Sequence, residues 1–411
     1  MSERIILHCD LNNFFASVES FYKPELKTVP MAVCGSVEER HGIVLAKNEI
    51  AKAFGIVTAE PVWQAKQKCR DLVIVPPQYD KYVEFSDRAK KVYGEFTDLV
   101  EPFGIDECWL DVTNSTKLFG SGEEIALQIK EKMKQELGIT ISVGVSFNKV
   151  FAKLGSDLKK PDAITVLSKE NFKDRIYNLK AEEMIGIGKK TKQKLNSLGI
   201  YTIGELAFCD KKILELTFGK LGVQLWAHAN GHDYSPVIAM KDTPAAKSYG
   251  RSLTRRNDLK NNEQVKRIFL YLCEKVATSL RENHVLASTV AINVRDTNLV
   301  TREFQKQLTQ PSRLVQTLLE CAMELFEKNW TWANDIRSIG ISAQNLMGEK
   351  SHFQLNLFCD TVKNDNQEKL ESEVFNIRKK FGNKAIVRAT AMNLNINENK
   401  SQGFKNVNQV K

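Results

Sequence analysis

The alternation of apolar and polar positions divides the chain into short strands and amphipathic helices. Ile5 to Cys9 is an apolar run that ends at Asp10, and a helix is predicted from about Phe14 to Phe21. HGIVLAKNEIAKAFGI, residues 41–56, reads as a strand followed by a helix. A second helix then leads into a buried strand from Leu72 to Val75, ended by Pro76 and Pro77. Tyr82 to Phe96 carries apolar and aromatic residues at helical spacing. Phe103 to Val112, FGIDECWLDV, reads as strand on both sides of Asp106 and Glu107, with Gly104 permitting a sharp turn. A helix from Glu123 to Leu137, a strand from Ile139 to Val145 and a helix from Asn148 to Leu158 follow. Strand, helix, hairpin, helix, strand is the split βαβ order of a ferredoxin-like sheet, whose first and third strands are central neighbours.

Beyond residue 166 the pattern changes. Leu179 to Leu206 reads as two helical segments around a Gly186-x-Gly188 hairpin, with Lys189 and Lys190 opening the second helix. His232 to Lys247 is polar, contains Pro236 and Pro244, and reads as a linker. From Tyr249 the order resets to strand, helix, strand, strand, helix, strand, ending near Leu346. Leu370, Val374, Ile377 and Phe381 mark a further amphipathic helix, and the polar stretch from Asn393 to Lys411 is expected to be disordered. The fold class is α+β, in several domains.

Composition narrows the setting. For 411 residues, a hydrophobic content of 42% and a charged content of 27% are ordinary for a globular chain, and the length calls for more than one core. The net charge of +9 favours an acidic or nucleic-acid partner. Residues 241–350 hold 17 Lys or Arg against 12 Asp or Glu. The eight cysteines show no C-x-x-C spacing and have apolar neighbours, which predicts buried thiols in a reducing cytosol rather than a zinc or redox site. No run of about 18 apolar residues occurs, so a cytoplasmic protein with no membrane association is expected.

The candidate chemistry lies at three acidic positions. Asp106 and Glu107 sit inside an apolar run, where carboxylates are costly without a compensating cation or donors. A solvated turn is the bland reading of that pair, and a helix cap is the bland reading of Asp10. In the split βαβ arrangement the three carboxylates can converge, and such a set suits two magnesium ions that clamp the attacking and leaving oxygens of phosphoryl transfer. Backbone N–H groups in the turn after Asp10 can receive phosphate oxygens, and the helix start at Gly188 with its lysines forms a second phosphate site.

Three blocks carry a resemblance: HCDLNNFFASVE at 8–19, GIDECWLD at 104–111 and SVGVSFNKVFAKLGSDLKKPDAI at 142–164. In order and spacing they resemble the Y-family translesion DNA polymerases of the DNA polymerase IV (UmuC-like) branch. The resemblance implies a ferredoxin-like catalytic palm from 1–20 and 80–166, small α/β fingers at 21–79 and a helix-hairpin-helix thumb at 167–235. A linker at 236–247, a βαββαβ little finger at 248–348 and a tail at 349–411 complete it. Asp10 and Asp106 would hold both Mg2+ ions, Glu107 would complete the catalytic metal site, and Leu11 would add its backbone carbonyl. Phe15 falls at the aromatic steric gate under the incoming sugar. Asn13, Phe14, Lys52 and Lys160 fall at nucleotide-binding positions. Gly186, Gly188, Lys189 and Lys190 would grip the DNA backbone, as would Arg251, Arg255 and Arg256 in the little finger. Gln354, Leu355, Leu357 and Phe358 resemble the peptide by which bacterial polymerases attach to the sliding clamp, where one amide and three apolar side chains suit a hydrophobic groove.

The activity implied is template-directed, low-fidelity DNA synthesis from dNTPs on primer-template DNA, without proofreading, by a monomer. A non-catalytic clamp adaptor of the same shape, or a palm-fold nucleotidyl cyclase, are the competing readings. The first lacks the metal carboxylates, and the second has no use for the hairpin or the clamp peptide. One departure stands out. Family members commonly carry a Tyr and, three residues on, an Arg on the finger helix; here these are Glu49 and Lys52. Lysine keeps the charge but not the bidentate fork.

Overall fold

The computed structural model describes residues 3–389 apart from 39, 41 and 350–360. It divides into two compact units. The first comprises the residues up to Gly35 with Ile43–Pro244, and the second comprises Ser36–Gly42 with the residues from Ala245 on. The clamp-like Gln354–Phe358 and the polar end from Asn393 lie outside the described residues. Among the described residues no helix is long and apolar enough to cross a membrane.

The first unit opens with β1 (Ile6–Leu11), fully buried along its length, and α1 (Phe14–Tyr22). Then come β2 (Met31–Cys34), β3 (Val44–Lys47), α2 (Glu49–Ala53), α3 (Val62–Lys68) and β4 (Val73–Val75). These three strands form a small sheet in the order β3-β2-β4. In the run at 72–75, expected to be a buried strand, Leu72 and Val75 are buried and Val73 is 37% exposed; β4 is an edge strand with β2 as its neighbour. The Asn48 side chain caps α2 by accepting from Ala51 N at 2.9 Å.

A larger sheet holds the centre of this unit. After α4 (Tyr79–Gly94) come β5 (Val100–Pro102), β6 (Glu107–Asp111), the short α5 (Thr116–Phe119), α6 (Gly122–Leu137), β7 (Ile141–Ser146), α7 (Lys149–Leu158) and β8 (Ile164–Leu167). The strand order is β5-β6-β1-β7-β8, so β1 lies between two antiparallel neighbours, as the split βαβ pattern predicts. A capping box between Ser121 and Glu124 starts α6, and Asn148 caps α7 by accepting from Phe151 N. Helix α7 crosses β7 at Gly144. A Cβ built there would lie 1.9 Å from the Ala152 carbonyl oxygen and 2.5 Å from Ser156 N. Only a glycine admits the helix this close.

Short helices follow: α8 (Phe172–Ile176), α9 (Lys189–Ser197), α10 (Ile203–Phe208), α11 (Lys211–Phe218) and α12 (Lys220–Ala229). The segment before the Gly186-x-Gly188 turn is one 3-10 turn, Ala181–Glu183, shorter than the helix expected there. Of the apolar residues at helical spacing here, Leu195, Ile200, Ile203 and Leu206 are buried in the core of this region, whereas Leu198 is exposed. The polar stretch at 232–247 is tied down in its first half. Ile238 N donates to Glu101 at 2.8 Å, Lys149 N donates to Asp233 at 3.2 Å, and Val237 and Ala239 are buried. Free thiols at 9, 34, 69, 108, 273 and 321 are buried and Cys209 is half-buried, while Cys359 lies outside the described residues.

The second unit holds β9 (Ser248–Leu259), α13 (Asn262–Glu282), β10 (Val285–Asp296), β11 (Thr301–Ser312), α14 (Val315–Asn329), β12 (Ile336–Gly348) and α15 (Thr361–Phe381). Its sheet runs β11-β10-β12-β9 with every neighbouring pair antiparallel. The two long helices pack on it through Phe269, Leu272, Leu318 and Phe326. Helix α15 forms where its periodicity predicts, but it docks by its polar face. Arg281 donates to Glu368 at 3.0 Å and to the buried Glu371 at 2.9 Å, and Glu371 also accepts from Val315 N at the start of α14. Arg313 donates to Glu368 at 2.7 Å. Of the expected apolar face, Leu370 and Phe381 are 64% and 67% exposed, and Val374 is half-buried.

Candidate active site

The site grows from the end of β1. In the antiparallel register Asp10 stands opposite Glu107, and Leu11 N donates to the Asp106 carbonyl at 3.0 Å. Three acidic residues that are almost a hundred positions apart in the chain therefore share one end of two adjacent strands. Asp10 is buried, and burial raises its pKa; Lys160 works against that rise and Glu107 adds to it. Asp106 is pushed up to about 7, first by burial and then by the negative charges of Asp10 and Glu107. Mutual repulsion of this kind fits a position that a divalent cation would relieve.

Two lysines already face the cluster. Lys160 Nζ donates to Asp10 Oδ2 at 2.7 Å and also pairs with Asp157 at 2.7 Å. Burial works against its charge, but Asp10 and Asp157 outweigh that and hold its pKa at about 12. Lys153 Nζ lies 2.9 Å from Glu107 Oε2, 3.6 Å from Asp10 and 3.4 Å from Asp157. His8, fully buried, accompanies Glu107 from the other side at 3.3 Å, while its Nδ1 contacts Ser156 Oγ at 2.8 Å. Burial, then the Lys153 charge, holds the His8 pKa well below the ordinary range.

The backbone brings the carboxylates together, but the side chains do not yet converge. Among the described residues no group of three or more His, Cys, Asp or Glu side chains stands in ligating arrangement. Glu107 is turned toward Lys153 and His8, and its buried Oε2 makes no hydrogen bond of good geometry. The donor set itself suits hard divalent ions: three carboxylates at one end of two adjacent strands, with burial and mutual repulsion raising Asp106. Of the residues involved, His8, Lys153 and Asp157 were not expected from the sequence at this site. Lys149, four residues before Lys153 on the same helix, bonds Glu101 at 2.7 Å instead.

The other expected positions fall as follows. Asn13 starts α1 in a left-handed conformation, φ 50°, and its amide donates to Glu49 Oε1 at 2.9 Å. Glu49 lies 3.5 Å from Lys52 Nζ, both about half exposed. The Phe14 ring is buried in the core, which leaves only its backbone for a ligand. Phe15 stacks face to face on Tyr82, with ring centroids 4.2 Å apart and planes 10° from parallel. Gly186 adopts φ 92°, where a side chain would be strained, and Gly188 precedes α9, with Lys189 and Lys190 exposed in its first turn. In the second unit, Arg251 lies on the edge strand β9 and donates to Ser279 on α13. Arg255 and Arg256 sit where the β9–β12 register breaks between Thr254 and Leu259. The three arginines do not form one paired row.

A Y-family polymerase fold accounts for both units. A Y-family DNA polymerase chimera of Dbh and Dpo4 superposes with a TM-score of 0.75 at 25% identity, covering 84% of this chain and 99% of the chimera. The pattern of the impB/mucB/samB family matches residues 9–157, and that of the same family's C-terminal domain matches 246–357. DNA polymerase IV of Acetivibrio thermocellus is 46% identical over 386 residues, spanning 94% of this chain and 97% of its own length. DNA polymerase IV 1 of Bacillus subtilis is 37% identical and covers 98% and 96%. The chain belongs to the impB/mucB/samB family of Y-family DNA polymerases.

Proposed function

We propose that nucleotidyl transfer occurs at the end of β1 and β6, with Asp10, Asp106 and Glu107 as the metal-binding carboxylates and Leu11 contributing its carbonyl. The chain is a DNA-directed DNA polymerase of the translesion kind. Y-family enzymes depend on divalent metal, and two magnesium ions are the identity proposed here. The observation that carries this reading is the Asp10–Glu107 register with Leu11 N on the Asp106 carbonyl. Bound magnesium would make the primer 3′-hydroxyl more acidic and neutralise the triphosphate.

The chain's own residues do the rest. Lys160 and Lys153 keep the carboxylates neutralised, and Lys160 stands where it can pass from Asp10 to a phosphate. The turn at Asn13–Phe15 offers backbone N–H groups to the triphosphate. Phe15 closes the space beneath the sugar, so a 2′-hydroxyl meets the ring. Phe15→Ala is expected to lower discrimination against ribonucleotides on the order of a hundredfold. Single-nucleotide incorporation of matched dNTP and rNTP checks this, and unchanged discrimination removes the gate role.

Glu49 has a distinct consequence. Its carboxylate holds Asn13 and neighbours Lys52, so the one finger cation expected to meet the triphosphate is partly neutralised. Glu49→Gln is expected to lower the KM for dNTP about two- to fivefold at low salt, with the gain shrinking as ionic strength rises. A KM that is unchanged at every salt concentration would show that Glu49 stands clear of the nucleotide.

The domain assignment proposed is palm at 1–20 and 80–166, fingers at 21–79, thumb at 167–235 and little finger at 248–348. The five-stranded sheet, the three-stranded sheet, the short helices and the separate second unit support it. Gly186, Gly188, Lys189 and Lys190 would hold duplex backbone, with Arg251, Arg255 and Arg256 adding phosphate contacts. Attachment to a sliding clamp through Gln354–Phe358 rests on the sequence. A cytoplasmic monomer completes the proposal. The adaptor alternative is not favoured, since all three carboxylates are present.

A further inference from the structure

Glu19 has no part in the chemistry described above, yet it is fully buried. It lies four residues beyond Phe15 on α1, one helical turn along. Its Oε1 accepts a hydrogen bond from the Tyr82 hydroxyl at 2.5 Å, and its Oε2 accepts one from the Gln78 side-chain amide at 2.7 Å. Both donors are neutral. A buried carboxylate held without a counter-charge is costly, and an apolar residue would fill the same volume more cheaply.

What this arrangement controls is the ring of Tyr82. That ring is the surface on which Phe15 stacks at 4.2 Å, and Tyr79 meets both rings edge-on, at 6.1 Å from Phe15 and 5.9 Å from Tyr82. Tyr82 is otherwise buried, so its hydroxyl is the handle by which its tilt and depth are set. Phe15 is only partly buried, and an aromatic side chain on the first turn of a helix has more than one staggered rotamer open to it. We infer that Glu19 is a positioning residue for sugar discrimination: by anchoring the Tyr82 hydroxyl it fixes the plane against which Phe15 rests, and so the height of the gate beneath the incoming sugar. The inference rests on the reading of Phe15 as the gate.

The test compares incorporation efficiency for a dNTP and the matching rNTP in the unaltered enzyme, Phe15→Ala, Tyr82→Phe, Glu19→Gln and the Tyr82→Phe/Glu19→Gln double variant. Tyr82→Phe and Glu19→Gln are each expected to reduce dNTP preference about tenfold, the size of one hydrogen bond to a charged group. The double variant is expected to lose no more than the worse single, because both act on one contact. A solely structural carboxylate would lower both incorporation rates together and leave their ratio unchanged, which overturns the inference. Additive losses in the double variant overturn it too. If Phe15→Ala itself leaves the ratio unchanged, the gate reading fails; if Phe15→Ala relaxes the ratio and the other two do not, only the role of Glu19 fails. Should Glu19→Gln not fold, Tyr82→Phe alone decides, since it keeps the ring and removes only the hydroxyl.

Discussion

Asp106→Ala is expected to reduce primer extension by about a thousandfold or more while leaving DNA affinity within about threefold of the parent. The size follows from the position of the residue. Asp106 lies at the turn into β6, its carbonyl bonded to Leu11 N, and it shares the strand ends with Asp10 and Glu107. Losing one of three carboxylates removes several kcal/mol of charge stabilisation at the reacting phosphate. None of the residues proposed to hold duplex DNA touches Asp106, so binding has no reason to fall. Stability should move the other way. The pKa near 7 reflects burial and repulsion from two neighbouring carboxylates, and alanine relieves both. An inactive variant that binds primer-template and melts no lower than the parent is the expected set of three results. Extension at the parental rate would sink the assignment of the site.

Gly144→Ala should act on stability instead, by about 3 kcal/mol or more. The added methyl would meet the Ala152 carbonyl oxygen and Ser156 N, which belong to helix backbone and cannot swing aside as a side chain can. Relief requires α7 to lift from β7. That same helix carries Lys153, Ser156 and Asp157, so the displacement also uncouples the lysine from Glu107 and the serine from His8. Denaturant unfolding should show a lowered midpoint, and residual folded protein should extend primers poorly. A midpoint within about 0.5 kcal/mol of the parent would mean that α7 and β7 have slack the contact distances deny.

Much of this was legible from residue patterns, for reasons that differ by element. Asp10 and Asp106-Glu107 stand out because carboxylates interrupt apolar runs, and the split βαβ order then makes their strands neighbours. The roles of Lys153, Asp157 and His8 were hidden, since they depend on how closely α7 approaches β7, a distance set by Gly144. The partner of Glu19 was hidden in the same way, since its donor Tyr82 is 63 residues away. Periodicity identified α15 but assigned it the wrong buried face. The stripe at Leu370, Val374, Ile377 and Phe381 satisfies helical spacing, whereas Arg281 and Arg313 draw Glu368 and Glu371 inward from elsewhere in the unit. The stretch at 232–247 looked polar enough to be free, yet Glu101 and Asp233 fasten it through backbone N–H groups that no side-chain pattern reports.

The central place of β1 also bears on how the chain is made. The strand is apolar apart from His8 and Asp10, yet both of its hydrogen-bonding neighbours, β6 and β7, begin after residue 106. At roughly 5–20 residues per second of synthesis, β1 waits about 5–20 s with both edges unpaired. An exposed strand in a nascent chain is a target for chaperones and for misassembly with other unfinished chains. The strand end that carries Asp10 is thus synthesised almost a hundred residues before the first strand that pairs with it.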